Sequence, residues 1–150
     1  MIETVDIAAL SGIDQLRLGM TGGFIAPIAR TVGFELTEVE EGRVVFEAIP
    51  TTAVYNPLGT VHGGWIATIL DSAMACAVHS TLRVGEGYTT LEMKLNYVRP
   101  VMPASGPVRC EGRLIHRGGS VATSEGRLVD AHGKLLAHGT ETCMIFGAKR

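Results

Sequence analysis

Hydrophobic and polar positions alternate with two different periods along the chain. A period of two over residues 34–39 and 44–49, separated by Glu41-Gly42, predicts a β-hairpin. From residue 62 to about residue 82 the chain is apolar nearly all round, which predicts one long buried helix. The period of a strand then returns in four further runs, over residues 90–98, 108–116, 121–130 and 135–146.

Short connections between the last four runs predict an antiparallel meander that follows the long helix. A helix that is hydrophobic all round needs a sheet wrapped about it to exclude water. The sequence therefore predicts an α+β architecture, in which a curved antiparallel sheet surrounds one long helix.

The N-terminal residues alternate short helical segments with helix breakers. Asp6 or Ser11 can cap a first helix, which the following Gly-Gly pair ends. A second short helix is expected over residues 24–32. We therefore expect an N-terminal helical extension over residues 1–23, followed by the main domain over residues 24–150.

Composition narrows the classes of function. The chain has 150 residues, of which 46% are hydrophobic and 19% charged, as is typical of one folded domain with its own core. A net charge of −2 without runs of like charge argues against nucleic acid or a membrane surface as a partner. Five histidines show no metal-ligand spacing, so we expect no metal site.

Cysteine usage and the N-terminus bear on location. The three cysteines are far apart in the sequence and form no CxxC pair, which predicts reduced thiols rather than a disulfide framework. The N-terminus has early acidic residues and no basic segment, unlike a signal peptide. The longest apolar run, residues 65–78, is too short to span a bilayer. A cytoplasmic location is expected.

Asp71 interrupts the apolar helix between Leu70 and Ala73. Burying an unpaired carboxylate costs several kcal/mol. Asp71 is therefore either satisfied by a backbone group or an Arg elsewhere in the fold, or present for chemistry, for which partial burial raises the basicity of a carboxylate. The sequence alone leaves both interpretations open.

Gly63 and Gly64 stand at the start of the same helix. The first turn of a helix has backbone N–H groups without intrahelical partners, and glycine lets a ligand approach them closely. Such a site can hold a phosphate or a developing oxyanion, although a tight turn into the helix explains the glycines equally well. Asn56 can likewise orient a carbonyl or a water, or simply form an Asn-Pro turn.

Gly63 and Asp71 are eight residues apart on one predicted helix, which separates them by about 12 Å. A nucleophile must come within about 3 Å of the carbon whose oxygen is held by the N–H group. If both residues act on one substrate, they come from different subunits. A catalytic interpretation therefore predicts a homodimer, with Asp71 of one chain facing Gly63 of the other.

The motif Asn56-x-x-Gly59-x-x-His62-Gly63-Gly64, with Asp71 nine residues after the histidine, resembles the hotdog-fold acyl-CoA thioesterases of the phenylacetic-acid-degradation type. The stretches TTLEMKLNYVRP and GKLLAHGTETCMIF resemble strands of that family, and the resemblance covers roughly residues 30–146. It implies the hotdog fold, dimers whose sheets pair edge to edge, and commonly a dimer of dimers.

The resemblance also implies a role for five residues, four of them in the motif and the fifth, Thr90, in the first of these strands. Hydrolysis of an acyl-CoA thioester would use Asp71 of the neighbouring subunit as general base or nucleophile. The other roles are polarisation of the carbonyl by the N–H of Gly63, shaping of the loop by His62, positioning of carbonyl or water by Asn56, and orientation of the water by Thr90.

The CoA part of the substrate is expected at the subunit interface, and no separate cofactor is expected. The resemblance makes Arg117 the first candidate for a phosphate contact. The further candidates are Gly64, Gly118, Ser120 and Arg99. Relatives often have a single Gly followed by a basic residue in this loop, and Gly119-Ser120 departs from that pattern.

Three other functions are compatible with the same fold. A hotdog dehydratase or hydratase would carry an Asp-x4-His signature, which we do not find. A non-catalytic acyl-CoA sensor usually adds a DNA-binding segment, and residues 1–23 are too short and acidic for one. A structural dimer with an unused cleft is the third.

The sequence names neither the acyl group nor the carrier, which is either CoA or an acyl-carrier protein.

Overall fold

A long helix lies against one face of a curved antiparallel sheet in the computed structural model, which describes residues 5–23 and 26–147. Within those residues the helices are α1 (Gly12–Met20), α2 (Pro27–Val32) and α3 (Gly63–His79). The six strands are β1 (Phe34–Glu40), β2 (Arg43–Ala48), β3 (Glu86–Tyr97), β4 (Val108–Arg117), β5 (Val121–Val129) and β6 (Leu135–Gly147). The predicted α+β architecture is confirmed.

The strand order is β1-β2-β4-β5-β6-β3, and all neighbours are antiparallel. The predicted four-strand meander is therefore only partly right. β4, β5 and β6 are consecutive neighbours, whereas β3 lies beside β6 at the sheet edge. The chain from β3 to β4 contains Pro100, Pro103 and Pro107, which cannot donate to a strand ladder, and it contributes the buried Val101 to the core.

Helix α3 lies close to the centre of the sheet because two strand glycines leave room for it. A Cβ on Gly112 would stand 2.0 Å from the carbonyl oxygen of Ala73, and a Cβ on Gly126 would stand 2.7 Å from Met74 Cγ. The apolar side chains of α3 are buried against β4 and β5. This close packing fixes the height and rotation of α3, and with them the direction in which Asp71 points.

A β-bulge at Leu91 changes the alternation of β3. Thr90 pairs with Cys143 and Glu92 pairs with Thr142, so Leu91 is an extra residue in the ladder. Thr90 and Met93 consequently both face the helix, although the uninterrupted alternation predicted from the sequence placed them on opposite faces. The bulge is what brings the Thr90 hydroxyl inward.

Of the two candidate caps for the first helix, Ser11 caps α1, whereas Asp6 caps a short 3-10 turn that precedes it. α1 packs against the end of α3, where Gln15 Oε1 lies 2.8 Å from His79 Nε2. The second helix predicted over residues 24–32 is α2, but residues 24 and 25 lie outside the described residues. The division at residue 23 therefore stays a prediction.

No helix in the described part of the chain is both long and apolar enough to cross a membrane. Helix α3 ends at His79, about three residues before its predicted end, because the chain turns there and the Ser80 hydroxyl donates back to the Ala77 carbonyl.

Candidate active site

His62 caps the N-terminus of α3 with its side chain. Its Nδ1 accepts a hydrogen bond of 2.8 Å from the N–H of Gly64. In the neutral ring, the proton is therefore on Nε2, which leaves one donor on this exposed side chain. A Cβ on Gly64 would stand only 3.0 Å from Nδ1, so the glycine allows this cap. The Gly64 N–H, a candidate CoA contact, is thus used within the protein.

The N–H of Gly63 is the one amide of the first turn of α3 without a hydrogen-bond partner among the described residues. The next amides, of Trp65 and Ile66, both donate to the His62 carbonyl. The Gly63 carbonyl accepts a hydrogen bond of 3.1 Å from Tyr97 Oη, which holds this turn against β3. Gly63 therefore offers a free donor at the positive end of the helix dipole.

Asn56 organises the loop that leads to His62. Its Oδ1 accepts from the N–H groups of Leu58 (2.9 Å) and Thr60 (3.3 Å), and its Nδ2 donates to Thr60 Oγ1 over 2.7 Å. This is the ordinary turn role of an Asn-Pro sequence. One Nδ2 hydrogen is left over, and its use in positioning a carbonyl or water stays a prediction.

Asp71 is half-buried on α3 and has no cationic partner. No Lys, Arg or His of the described residues lies within ion-pair distance of it. Its hydrogen-bond donor among those residues is the Thr90 hydroxyl, at 3.4 Å from Oδ1. Burial raises the pKa of Asp71, and hydrogen bonds with the Thr90 hydroxyl and with a second carboxyl, that of Glu141, oppose that rise. The carboxylate is thus not satisfied by an Arg or a backbone group in the part of the chain that is described.

A second carboxyl, Glu141 on β6, lies behind Asp71, and the sequence analysis missed it. The side chain is 1% exposed, and its Oε1 accepts from Thr90 Oγ1 (2.7 Å) and Cys143 Sγ (3.2 Å). Burial, with a contribution from the charge of Asp71, raises the pKa of Glu141 to about 7. The period of two in β6 could have found it, because Glu141 shares the inward face with Gly139 and Cys143.

The candidate CoA contacts lie at two ends of α3. Near its C-terminal end, Arg117 pairs with Glu86 over 2.7 Å and also donates to the Gly118 carbonyl. Both line a cleft of about 930 Å³. The Gly118 N–H donates to Val121, and Ser120 is exposed in the same loop.

Arg99 lines a smaller cleft of about 250 Å³ beside Gly63, at the N-terminal end of α3, and donates to the Leu135 carbonyl. The 17 residues of α3 separate the two clefts by about 25 Å within one chain. None of these CoA assignments is tested by the geometry of a single chain, and each stays a prediction.

The single chain therefore contains two separate groups of candidate residues. Asp71 and Thr90 lie together in the middle of α3 and β3, and the unpartnered Gly63 N–H lies with His62 at the start of the helix. The described residues contain no group of three or more His, Cys, Asp or Glu side chains placed to hold a metal ion. An acid–base group and an oxyanion donor are what acyl transfer requires.

Comparison with known proteins gives one consistent result. The model of the thioesterase superfamily matches residues 58–137. Two curated relatives are the 1,4-dihydroxy-2-naphthoyl-CoA hydrolase of Listeria monocytogenes (28% identity, covering 73% of this chain and 87% of the relative) and the human acyl-coenzyme A thioesterase 13 (29% identity, covering 71% and 76%).

A solved structure with the same architecture is that of a phenylacetic acid degradation-related protein from Ralstonia eutropha. It is 33% identical, covers 87% of this chain and 98% of its own, and superposes with a TM-score of 0.78. The hotdog fold expected from the motif is confirmed.

Proposed function

Because this chain belongs to the thioesterase superfamily and is a hotdog thioester hydrolase, we propose that it hydrolyses an acyl-CoA to the free acid and CoA. Each active site would combine Asp71 of one subunit with the Gly63 N–H of the other. The observation that carries this proposal is that α3 bears both a half-buried carboxylate without a cationic partner, Asp71, and an unpartnered N–H, that of Gly63. The Listeria and human relatives, named as an acyl-CoA hydrolase and an acyl-CoA thioesterase, support the choice of CoA.

In the proposed reaction the Gly63 N–H binds the thioester oxygen as it becomes an oxyanion. Asp71 accepts a proton from a water, whose oxygen adds to the carbonyl carbon. The C–S bond then breaks, and the CoA sulfur leaves with the proton that Asp71 returns. In the other route, Asp71 attacks the carbonyl itself, and water hydrolyses the resulting mixed anhydride. Both routes need the same two residues.

The proposed subunit arrangement rests on the length of the helix and the position of β3. Gly63 and Asp71 are about 12 Å apart along α3, too far to act together within one chain. Among the described strands β3 pairs only with β6, so its other side is a free edge. Pairing of two β3 edges about a two-fold axis would make the α3 helices antiparallel neighbours and bring Asp71 towards Gly63 of the partner subunit. A dimer of dimers is part of the same proposal.

The experiment is thiol release from a panel of acyl-CoA thioesters by the wild type and by Asp71→Asn. The amide has nearly the shape of the carboxylate but is not a base, so we expect turnover to fall at least 100-fold. Asp14→Asn, an exposed Asp on α1, is the matched control and should behave as wild type.

Full activity of an Asp71→Asn dimer would refute the assignment of Asp71. Absence of hydrolysis of every acyl-CoA by the wild type would refute the CoA proposal and shift it to an acyl-carrier-protein thioester or to a sensor.

A further inference from the structure

The buried carboxyl of Glu141 has no part in the proposed reaction. It contacts the Thr90 hydroxyl, however, which also contacts the proposed base Asp71. We propose that Glu141 is a positioning residue that holds a proton and, through the Thr90 hydroxyl, keeps Asp71 ionised and oriented as the base. This inference rests on the proposed role of Asp71. It extends that role to a pair of carboxyls that share one proton.

The Thr90 hydroxyl has too few hydrogens to donate to both carboxyls. Thr90 Oγ1 lies 2.7 Å from Glu141 Oε1 and 3.4 Å from Asp71 Oδ1, and a hydroxyl has one hydrogen to give. If both carboxyls were ionised, one of them would face the lone pairs of the Thr90 hydroxyl oxygen instead of its hydrogen. If Glu141 carries a proton, Glu141 donates to Thr90 and Thr90 donates to Asp71. Protonation of Glu141 therefore completes the chain of hydrogen bonds.

The other oxygen of Glu141 lies in an environment that disfavours a negative charge. Its Oε2 is buried without a hydrogen-bond partner among the described residues, and so is the hydroxyl of Ser124, which pairs with Glu141 across the β5–β6 ladder. No cation of the described residues compensates Glu141. An ionised carboxylate is much more costly than a neutral carboxyl in such a place.

Asp71 differs from Glu141 in its exposure. It is half-buried, whereas Glu141 is 1% exposed. Of the two carboxyls, Asp71 is therefore the one whose negative charge solvent can stabilise, and the proton of the pair belongs on Glu141.

The other ionisable groups that face Glu141 stay neutral in the working range of pH. They are Cys76 on α3, Tyr88 on β3 and Cys143 on β6. Burial raises the pKa of both thiols to about 12 and also raises the pKa of the Tyr88 phenol. Asp71 and Glu141 are thus the groups that titrate, and the pKa of Glu141, raised to about 7, is consistent with a proton there at neutral pH.

The pH dependence of turnover tests the proposal. As the pH rises through about 7, Glu141 loses its proton, the Thr90 hydrogen turns to Glu141, and Asp71 loses its donor. We therefore expect kcat of the wild type to fall on the alkaline side. In Glu141→Gln the amide donates to Thr90 at every pH, so kcat should stay within about threefold of wild type at pH 7 and lose its alkaline fall.

Two further variants separate this role from simple packing. Glu141→Leu neither donates to the Thr90 oxygen nor accepts its hydrogen, so the hydroxyl is no longer held towards Asp71. Its kcat should fall below that of Glu141→Gln, by about tenfold at most, and show no alkaline fall. Glu92→Gln removes the charge of an exposed glutamate on β3 that accepts from Thr142, on the opposite face, and should keep the wild-type profile. An inactive but folded Glu141→Gln would overturn the proposal, because the ionised form would then be the working one. A Glu141→Gln profile identical to that of the wild type would also overturn it.

A titration without substrate keeps this inference separate from the proposed function. Carboxyl carbon NMR of the wild type should show Glu141 titrating near neutral pH, and Asp71→Asn should lower that pKa by removing a like charge. Ionisation of Glu141 already complete at pH 5 would overturn the inference whether or not the chain hydrolyses a thioester. If Glu141 titrates near neutral pH but Asp71→Asn is fully active, the assignment of Asp71 as the base is refuted, and with it the residue that Glu141 is meant to position.

Discussion

Gly63 and Asp71 are the first and ninth residues of one unbroken helix, which places them about 12 Å apart along its axis. The N–H of Gly63 has no partner among the described residues, and the Asp71 carboxylate has no cation. In the proposed reaction each residue supplies one part of the site, and the distance between them means that the two cannot act together within one chain.

Replacing Gly63 with Pro should remove the oxyanion donor without disturbing the helix. Proline is favoured at the first helical position, and His62, with φ −63° and ψ 136°, already has a conformation suited to a residue before proline. We expect kcat to fall by about 10²–10³-fold in Gly63→Pro.

Gly63→Ala is the matched control because it keeps the N–H. A Cβ at this position would lie 3.5 Å from the Tyr97 ring, an ordinary contact. Steady-state kinetics of both variants, with circular dichroism to verify folding, make the comparison. Equal losses in the two variants would mean that shape rather than the N–H matters here.

Removing the Thr90 hydroxyl should weaken turnover without unfolding the strand. Valine has nearly the shape of threonine and a high strand propensity, so Thr90→Val should fold, and we expect its kcat to fall by about tenfold. Thr90→Ser keeps the hydroxyl that contacts Asp71 and Glu141 and should retain most of the activity. If Thr90→Val is as active as the wild type, the hydroxyl neither orients a water nor supports Asp71.

Much of this arrangement is predictable from the sequence, and the exceptions have physical reasons. Alternation located the strands to within a few residues, because each has one buried face. The β3–β6 pairing was not predictable from the alternation, since a local pattern locates a strand but does not show which other strand it pairs with. The bulge at Leu91 was not predictable either, because apolar and polar residues still appear to alternate through it. It is visible only in the register of β3 against β6.

The two carboxyls of the site show the same contrast. Asp71 was conspicuous because it interrupts a continuous apolar run. Glu141 was not, because strand β6 also carries polar residues at outward positions such as Thr140, so a glutamate is unusual there only once the inward positions are known. The meeting of Glu141 with Asp71 is a long-range contact that only the fold reveals.

Stability should depend on pH through Glu141. Its pKa is raised in the folded state, so the native protein binds this proton more tightly than the unfolded chain does. The resulting stabilisation is present below the usual pKa of a glutamate and is lost as the pH rises through about 7. Between pH 5 and pH 8, the unfolding free energy of the wild type should fall by roughly 2 kcal/mol more than that of Glu141→Gln. Urea unfolding at both pH values measures this, and parallel changes in the two proteins would contradict it.

Arg117 should affect substrate binding if it contacts the phosphates of CoA. Because it is paired with Glu86, a structural role must be separated from a binding role. We expect Arg117→Gln to raise KM for acyl-CoA by about tenfold with kcat nearly unchanged. Glu86→Gln breaks the same ion pair but frees the arginine, so it should leave KM unchanged or lower it. Unchanged KM in both variants, with equal losses of stability, would assign Arg117 to the fold alone.

The most direct test of the central claim is to mix two inactive variants, Asp71→Asn and Gly63→Pro, after unfolding and refolding them together. If each site combines Gly63 of one subunit with Asp71 of the other, every mixed dimer contains one intact site. Random pairing in a two-fold dimer should then restore about a quarter of the wild-type thiol release. If the mixture stays as inactive as its two components, although mixed dimers are present, the two residues do not form a shared site across the interface.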